Sequence, residues 1–207
     1  MKKLSQINES LWSKGIERSK SGNERIEDRL QNTNLYNLKS IDLGLSFLLS
    51  DNYFEIDEKN KFLVEELNEL LPEIKKTGWR LMTLDEVKEL QEYIGNHNHS
   101  KRYIKSDNYN LEYEKDKLKP YPWGDREGFS LKSVYDKPEF IITDKKTNQH
   151  FFGYLSGRTS SSNSIWVEKS YSIIFQIPRE DMLSCELIEA VEERQMYKSF
   201  IRLVKDK

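Results

Sequence analysis

The sequence predicts an α+β fold on three observations. A capped amphipathic helix begins at Thr83, an earlier apolar repeat of helical spacing runs through residues 62–71, and the second half, from Phe129 onward, is patterned as strands. The 207 residues fit one domain with an appendage, and 36% apolar with 12% aromatic residues is enough to fill a core.

Residues 1–36 are polar and charged, with Ser21-Gly22-Asn23 as a turn signal and Ile7, Leu11, Trp12, Ile16, Ile26 and Leu30 as apolar anchors. Leu11, Trp12 and Ile16 are spaced for one face of a short helix that is too small to fold alone. That face must pack on its own domain or dock on a neighbouring subunit, since a tryptophan is costly to leave in water. The expected division is therefore an N-terminal docking arm, 1–36, and a folded domain, 37–207, with Ile7, Leu11, Trp12, Ile16 and Arg18 as the docking residues.

Residues 41–56 read as strand, turn, strand with the turn at Ser50-Asp51-Asn52. Leu63, Val64, Leu67, Leu70 and Leu71 predict the first helix, which Pro72 ends or turns. Trp79 lies on a short buried strand leading into the second helix. There Thr83 and Glu86 form a capping box, Leu84, Val87, Leu90 and Ile94 line the buried face, and Gly95-Asn96 stop it. Residues 96–127 show no sustained period and predict a long surface loop, a length that is uncommon unless functional. Glu139–Thr143 and Gln149–Leu155 are strands about a polar turn at 144–148. Tyr171–Ile177 is a strand ended by Pro178, and 180–197 fits a short helix or a hairpin arm.

Lysine plus arginine (33) nearly balances aspartate plus glutamate (35), so the chain lacks the basic footprint of a nucleic-acid binder. No apolar run approaches the roughly 20 residues that span a bilayer. The Met1–Gln6 start leads into polar sequence, so use without crossing an inner membrane is expected. A single cysteine, Cys185, allows no internal disulfide, and without a nearby histidine it reads as a packed small residue. His97 and His99 alternate, with His150 as a distant third, but no acidic or thiolate company makes a zinc motif; no metal or cofactor is expected. Aromatic side chains interleaved with charges in the expected loop, Tyr109, Tyr113, Tyr121 and Trp123, together with Arg158, form the candidate ligand surface for a sugar or a protein.

Several segments carry a resemblance. Gly78-Trp79-Arg80-Leu81-Met82-Thr83, with Glu86 and Leu90, resembles the G-W-R-L/M-P-T-x-x-E-W-x-x-L signature of the bacterial major-paralogous-domain family (FISUMP). Ile41-Asp42-Leu43-Gly44-Leu45-Ser46 is similar to its opening V-D-L-G-L-P-S-G. Gly153-Tyr154-Leu155-Ser156 with the serines up to Ser164 is similar to G-Y-Y-W-S-S-T, and Ser199–Lys205 to its closing S-I-R-x-V-K. Met82 stands where the family has proline, Phe47-Leu48-Leu49 replace its Gly-Thr-x-Trp, and Leu155 stands where tryptophan is common. The resemblance implies a C-type-lectin-like domain with two helices and a twisted, mainly antiparallel sheet, and for residues 180–197 it favours an irregular excursion before the last strand. Trp166-Val167-Glu168 does not supply the Trp-Asn-Asp strand of calcium-dependent sugar binding.

Within residues 1–29, Ile7–Ser13, Arg18-Ser19, Ser21-Gly22-Asn23, Arg25 and Glu27-Asp28 resemble an N-terminal segment of structural proteins of tailed bacteriophages infecting gut bacteria. The expectation is a non-enzymatic virion protein assembled in the host cytoplasm. Its arm would meet other virion proteins or its own oligomer, and its domain a host-surface glycan or protein, with no nucleic acid or membrane partner. The alternative is a glycan-binding or adhesion module on a bacterial cell surface.

Overall fold

The computed structural model describes residues 30–31, 33–56, 61–97, 102–103, 105–120, 129–131, 137–156, 163–179, 181–189 and 198–207. The first half holds β1 (Ser40–Ile41), β2 (Phe47–Ser50), α1 (Val64–Lys76), α2 (Leu84–Ile94), β3 (Asn96–His97), β4 (Arg102–Tyr103), β5 (Tyr109–Tyr113) and β6 (Leu118–Pro120). The second half holds, beside a 3-10 turn at Glu168–Ser170, the strands β7 (Phe129–Leu131), β8 (Glu139–Asp144), β9 (His150–Tyr154), β10 (Ile165–Trp166), β11 (Tyr171–Arg179), β12 (Met182–Glu189), β13 (Phe200–Ile201) and β14 (Val204–Asp206). The class is α+β, with two α-helices among the described residues and largely antiparallel sheets ordered β1-β2-β14, β12-β11-β10-β13 and β5-β8-β9, beside the pairs β3-β4 and β6-β7. The β10-β13 pairing is parallel. No helix among the described residues is long and apolar enough to cross a membrane.

Local chemistry sets the helices. Thr83 Oγ1 accepts from the Glu86 N–H (3.2 Å) while the Thr83 N–H donates to Glu86 Oε2 (2.8 Å), and the helix stops at left-handed Gly95. Glu168 Oε1 takes one further free donor, the Leu84 N–H, at 3.0 Å. Helix α1 runs on through Pro72 instead of ending there. Pro72 and Asn68 are both exposed, so water can serve the Asn68 carbonyl that the missing N–H would have met. After Thr77, Gly78 at φ +82° makes the left-handed step that turns the chain into Trp79, which is buried. Arg80 then bridges Val204 of the last strand.

Four strand expectations are corrected. The β1-β2 turn lies at residues 42–46, where Asp42 Oδ1 accepts from the Gly44 N–H, instead of at Ser50-Asp51-Asn52; Tyr53 and Phe54 that follow are core residues in irregular chain. The expected loop of 96–127 contains β3 to β6, and Tyr109–Tyr113 pairs along β8. Pro178 lies inside β11 at a bulge between Gln176 and Arg179, where the missing donor leaves no gap in the ladder. Residues 182–189 take the hairpin option, pairing back on β11 instead of forming the irregular excursion that the resemblance favours, and 190–197 lie outside the described residues.

The core has two clusters. One packs α2, through Val87, Leu90 and Ile94, against Phe47, Phe140, Phe151 and Phe175 of the sheets. The other packs α1, through Leu67, Leu70 and Ile74, against Trp79, Trp166, Phe54 and Phe62. Leu30 and Leu35 belong to this second cluster, and the Asn34 side chain donates to the Tyr53 carbonyl and accepts from the Glu55 N–H. The folded domain therefore reaches back to Leu30, seven residues before the expected boundary at 37.

Candidate functional site

The β5-β8-β9 sheet carries an open surface with a depression on its outward face. Its register puts Leu111, Ile142 and Phe151 in one row and Tyr113, Phe140 and Gly153 in another, both facing the core. Gly153 is required there, because a Cβ would come within 2.6 Å of the Phe140 ring. The alternate residues face the other way: Glu112, Ile141 and Phe152 form one row, Asn110, Thr143 and His150 the next, with Glu139 opposite Tyr154. Glu112, Glu139, Ile141, Thr143, His150 and Phe152 line a shallow depression of about 470 Å³.

Ile141 is 39% exposed, one of few large apolar side chains so placed among the described residues. Phe152 is half-buried, with Tyr53 meeting its ring edge-on at 5.6 Å. His150 Nδ1 and Thr143 Oγ1 are hydrogen-bonded at 2.9 Å. Glu114, beside this face, is held by the Glu139 N–H and by Lys117 (2.9 Å), which together draw its carboxyl below the ordinary value. Glu112 and Glu139 form no ion pair among the described residues, so the depression is apolar at its floor and acidic at its rim.

A second feature, absent from the sequence expectations, is Arg202. Its side chain is buried to 1% exposure, with Nε donating to the Ser50 carbonyl (3.0 Å) and Nη1 to the Phe152 carbonyl (2.6 Å). The guanidinium carbon lies 4.2 Å from the Phe151 ring centroid and about 5 Å from those of Tyr53 and Phe152. Burial lowers the guanidinium pKa, and nearby Tyr53 offsets part of that; burial likewise pushes the Tyr53 phenol up to about 12. The sequence signal was an arginine inside the otherwise apolar run Phe200–Val204, where a charge needs a structural reason.

The sequence candidates separate. Tyr109 is 7% exposed, turned inward from β5, with its hydroxyl donating to the Ile94 carbonyl (3.0 Å); burial raises its pKa, and it is a core residue instead of a ligand contact. Tyr113 is half-buried on the inward side of the same strand, with Lys115 Nζ 5.5 Å from its ring centroid. Tyr121, Trp123 and Arg158, the docking residues Ile7, Leu11, Trp12, Ile16 and Arg18, and His99 all lie outside the described residues. His97 is in β3, and His150 belongs to the outward face of β9. Cys185 is fully buried, its thiol pushed up by that burial with Glu186 adding to it, which disfavours the thiolate a nucleophile needs. Among the described residues, no three histidine, cysteine or acidic side chains are grouped to hold a metal.

Comparison of the chain with protein-family models, curated proteins and solved structures finds no match in any of the three.

Proposed function

We propose that this chain is a non-enzymatic structural or binding protein of a tailed-bacteriophage virion, joined to the particle through its N-terminal arm and presenting a C-type-lectin-like domain. The observation that carries the domain reading is where the motif segments meet. The closing segment pairs as β14 with β2, directly after the opening segment. Val204 bridges Arg80 of the Gly-Trp-Arg segment, and Arg202 donates to the carbonyl of Phe152, next to Gly153 of the third. Segments that resemble one family in sequence thus support one another in space, as the parts of a single scaffold do.

The virion reading rests on the phage-like pattern of residues 1–29. Quantitative mass spectrometry of purified particles of the phage encoding the chain tests it. The chain should be present at a fixed ratio to the capsid protein; its absence from particles and recovery with the bacterial envelope would overturn the proposal.

A further inference from the structure

The outward face of the β5-β8-β9 sheet and the N-terminal segment have matching chemistry. The face offers Ile141 and Phe152 as apolar contacts beside the Glu112 and Glu139 carboxylates; neither carboxylate forms a direct ion pair among the described residues, although Lys117 lies within electrostatic range of Glu139. The segment 1–20 offers Ile7, Leu11, Trp12 and Ile16 among Lys2, Lys3, Lys14, Arg18 and Lys20, with only Glu9 and Glu17 opposing them. An aromatic anchor seated beside two carboxylates, with lysine and arginine around it, gains both from desolvation and from charge complementarity. We infer that this face is the seat for residues 1–20 of a second copy of the chain. Copies then join head to tail, each giving its arm and receiving another, a heterologous contact that closes into a ring or extends as a stack. The inference rests on the proposed role of the arm as the link to a neighbouring chain, and it names that neighbour.

Cross-linking of the full-length chain tests it. One preparation carries Ser13→Cys, beside the intact Trp12 anchor, and a second Ile141→Cys; Cys185 is buried and does not compete. Oxidised as a mixture, the two should give a covalent dimer on a non-reducing gel that neither gives alone. Adding Glu112→Lys and Glu139→Lys to the Ile141→Cys chain should cut the yield about tenfold. Circular dichroism establishes that each variant is folded. No dimer from folded chains overturns the inference, as does a bridge formed only within a chain carrying both cysteines, which would make the seat its own arm's. A yield indifferent to the charge reversals overturns it too. If the arm is needed in particles but gives no dimer here, the arm's acceptor is another virion protein and the virion reading stands without this inference.

Discussion

Arg202 is the side chain whose environment decides most about how the molecule is held. A guanidinium out of water loses several kcal/mol of hydration, and here two backbone carbonyls and three aromatic rings stand in for the missing carboxylate. Its fork reaches Ser50 at the end of β2 and Phe152 in β9 together, which a lysine's single ammonium does not reproduce. Arg202→Lys is expected to cost about 3 kcal/mol by urea unfolding; a loss under about 0.5 kcal/mol would mean that the fork is replaceable. Trp79→Ala should cost about 3–5 kcal/mol, since Trp79 is buried in the α1 cluster with Lys205 over its ring. A melting temperature changed by only a degree or two would contradict that placement. Trp79 was legible because the tryptophan sits between a glycine turn and a cap. Arg202 was not, because its partners Ser50 and Phe152 are remote in sequence and only pairing of the strands brings them near.

At the scale of the elements, α2 was readable end to end because its cap and its stop are local chemistry: Thr83 with Glu86, then Gly95. The loop expected at 96–127 failed for an instructive reason. Tyr109, Leu111 and Tyr113 alternate with Asn110 and Glu112, a period-two signal five residues long, but the polar sequence around it outweighed it, and its pairing with β8 is a long-range fact. Pro72 and Pro178 were read as breaks, whereas one faces solvent and the other sits at a bulge, neither of which local sequence encodes. The β8-β9 turn at 144–148 was readable, and its centre is Asp144. Burial alone would raise the Asp144 pKa, but the Thr147 N–H and hydroxyl, the Tyr93 hydroxyl and the Lys146 N–H together pull it below the ordinary 3.8. A carboxylate with a lower pKa in the folded state adds stability that is complete above the unfolded value and is lost as pH falls through the folded one. Urea titrations from pH 6 down to about pH 2 should therefore show a loss below about pH 4 that is reduced in Asp144→Asn, although that variant is less stable at neutral pH. Equal pH dependence in the two proteins would remove Asp144 from the account.

For the whole molecule, the closing strand completes the fold: β14 seals β2, and its neighbours Arg202 and Leu203 tie Ser50 from both sides. The α+β class was legible from periodicity, whereas Leu30, an isolated apolar anchor in the sequence, packs in the cluster of Phe54 and Trp79, partners remote in sequence that only the fold brings beside it. The arm is thus residues 1–29 at most, and the described packing begins at Leu30. The central claim is that this arm joins the protein to its particle, and the most direct measurement is the copy number per purified virion of the chain lacking residues 1–29, beside a full-length Trp12→Ala chain. Both should keep the wild-type circular dichroism spectrum, with the truncated chain absent from particles and the Trp12→Ala chain reduced about tenfold or more. Incorporation of the truncated chain at the wild-type ratio, or its failure to fold, would contradict the account.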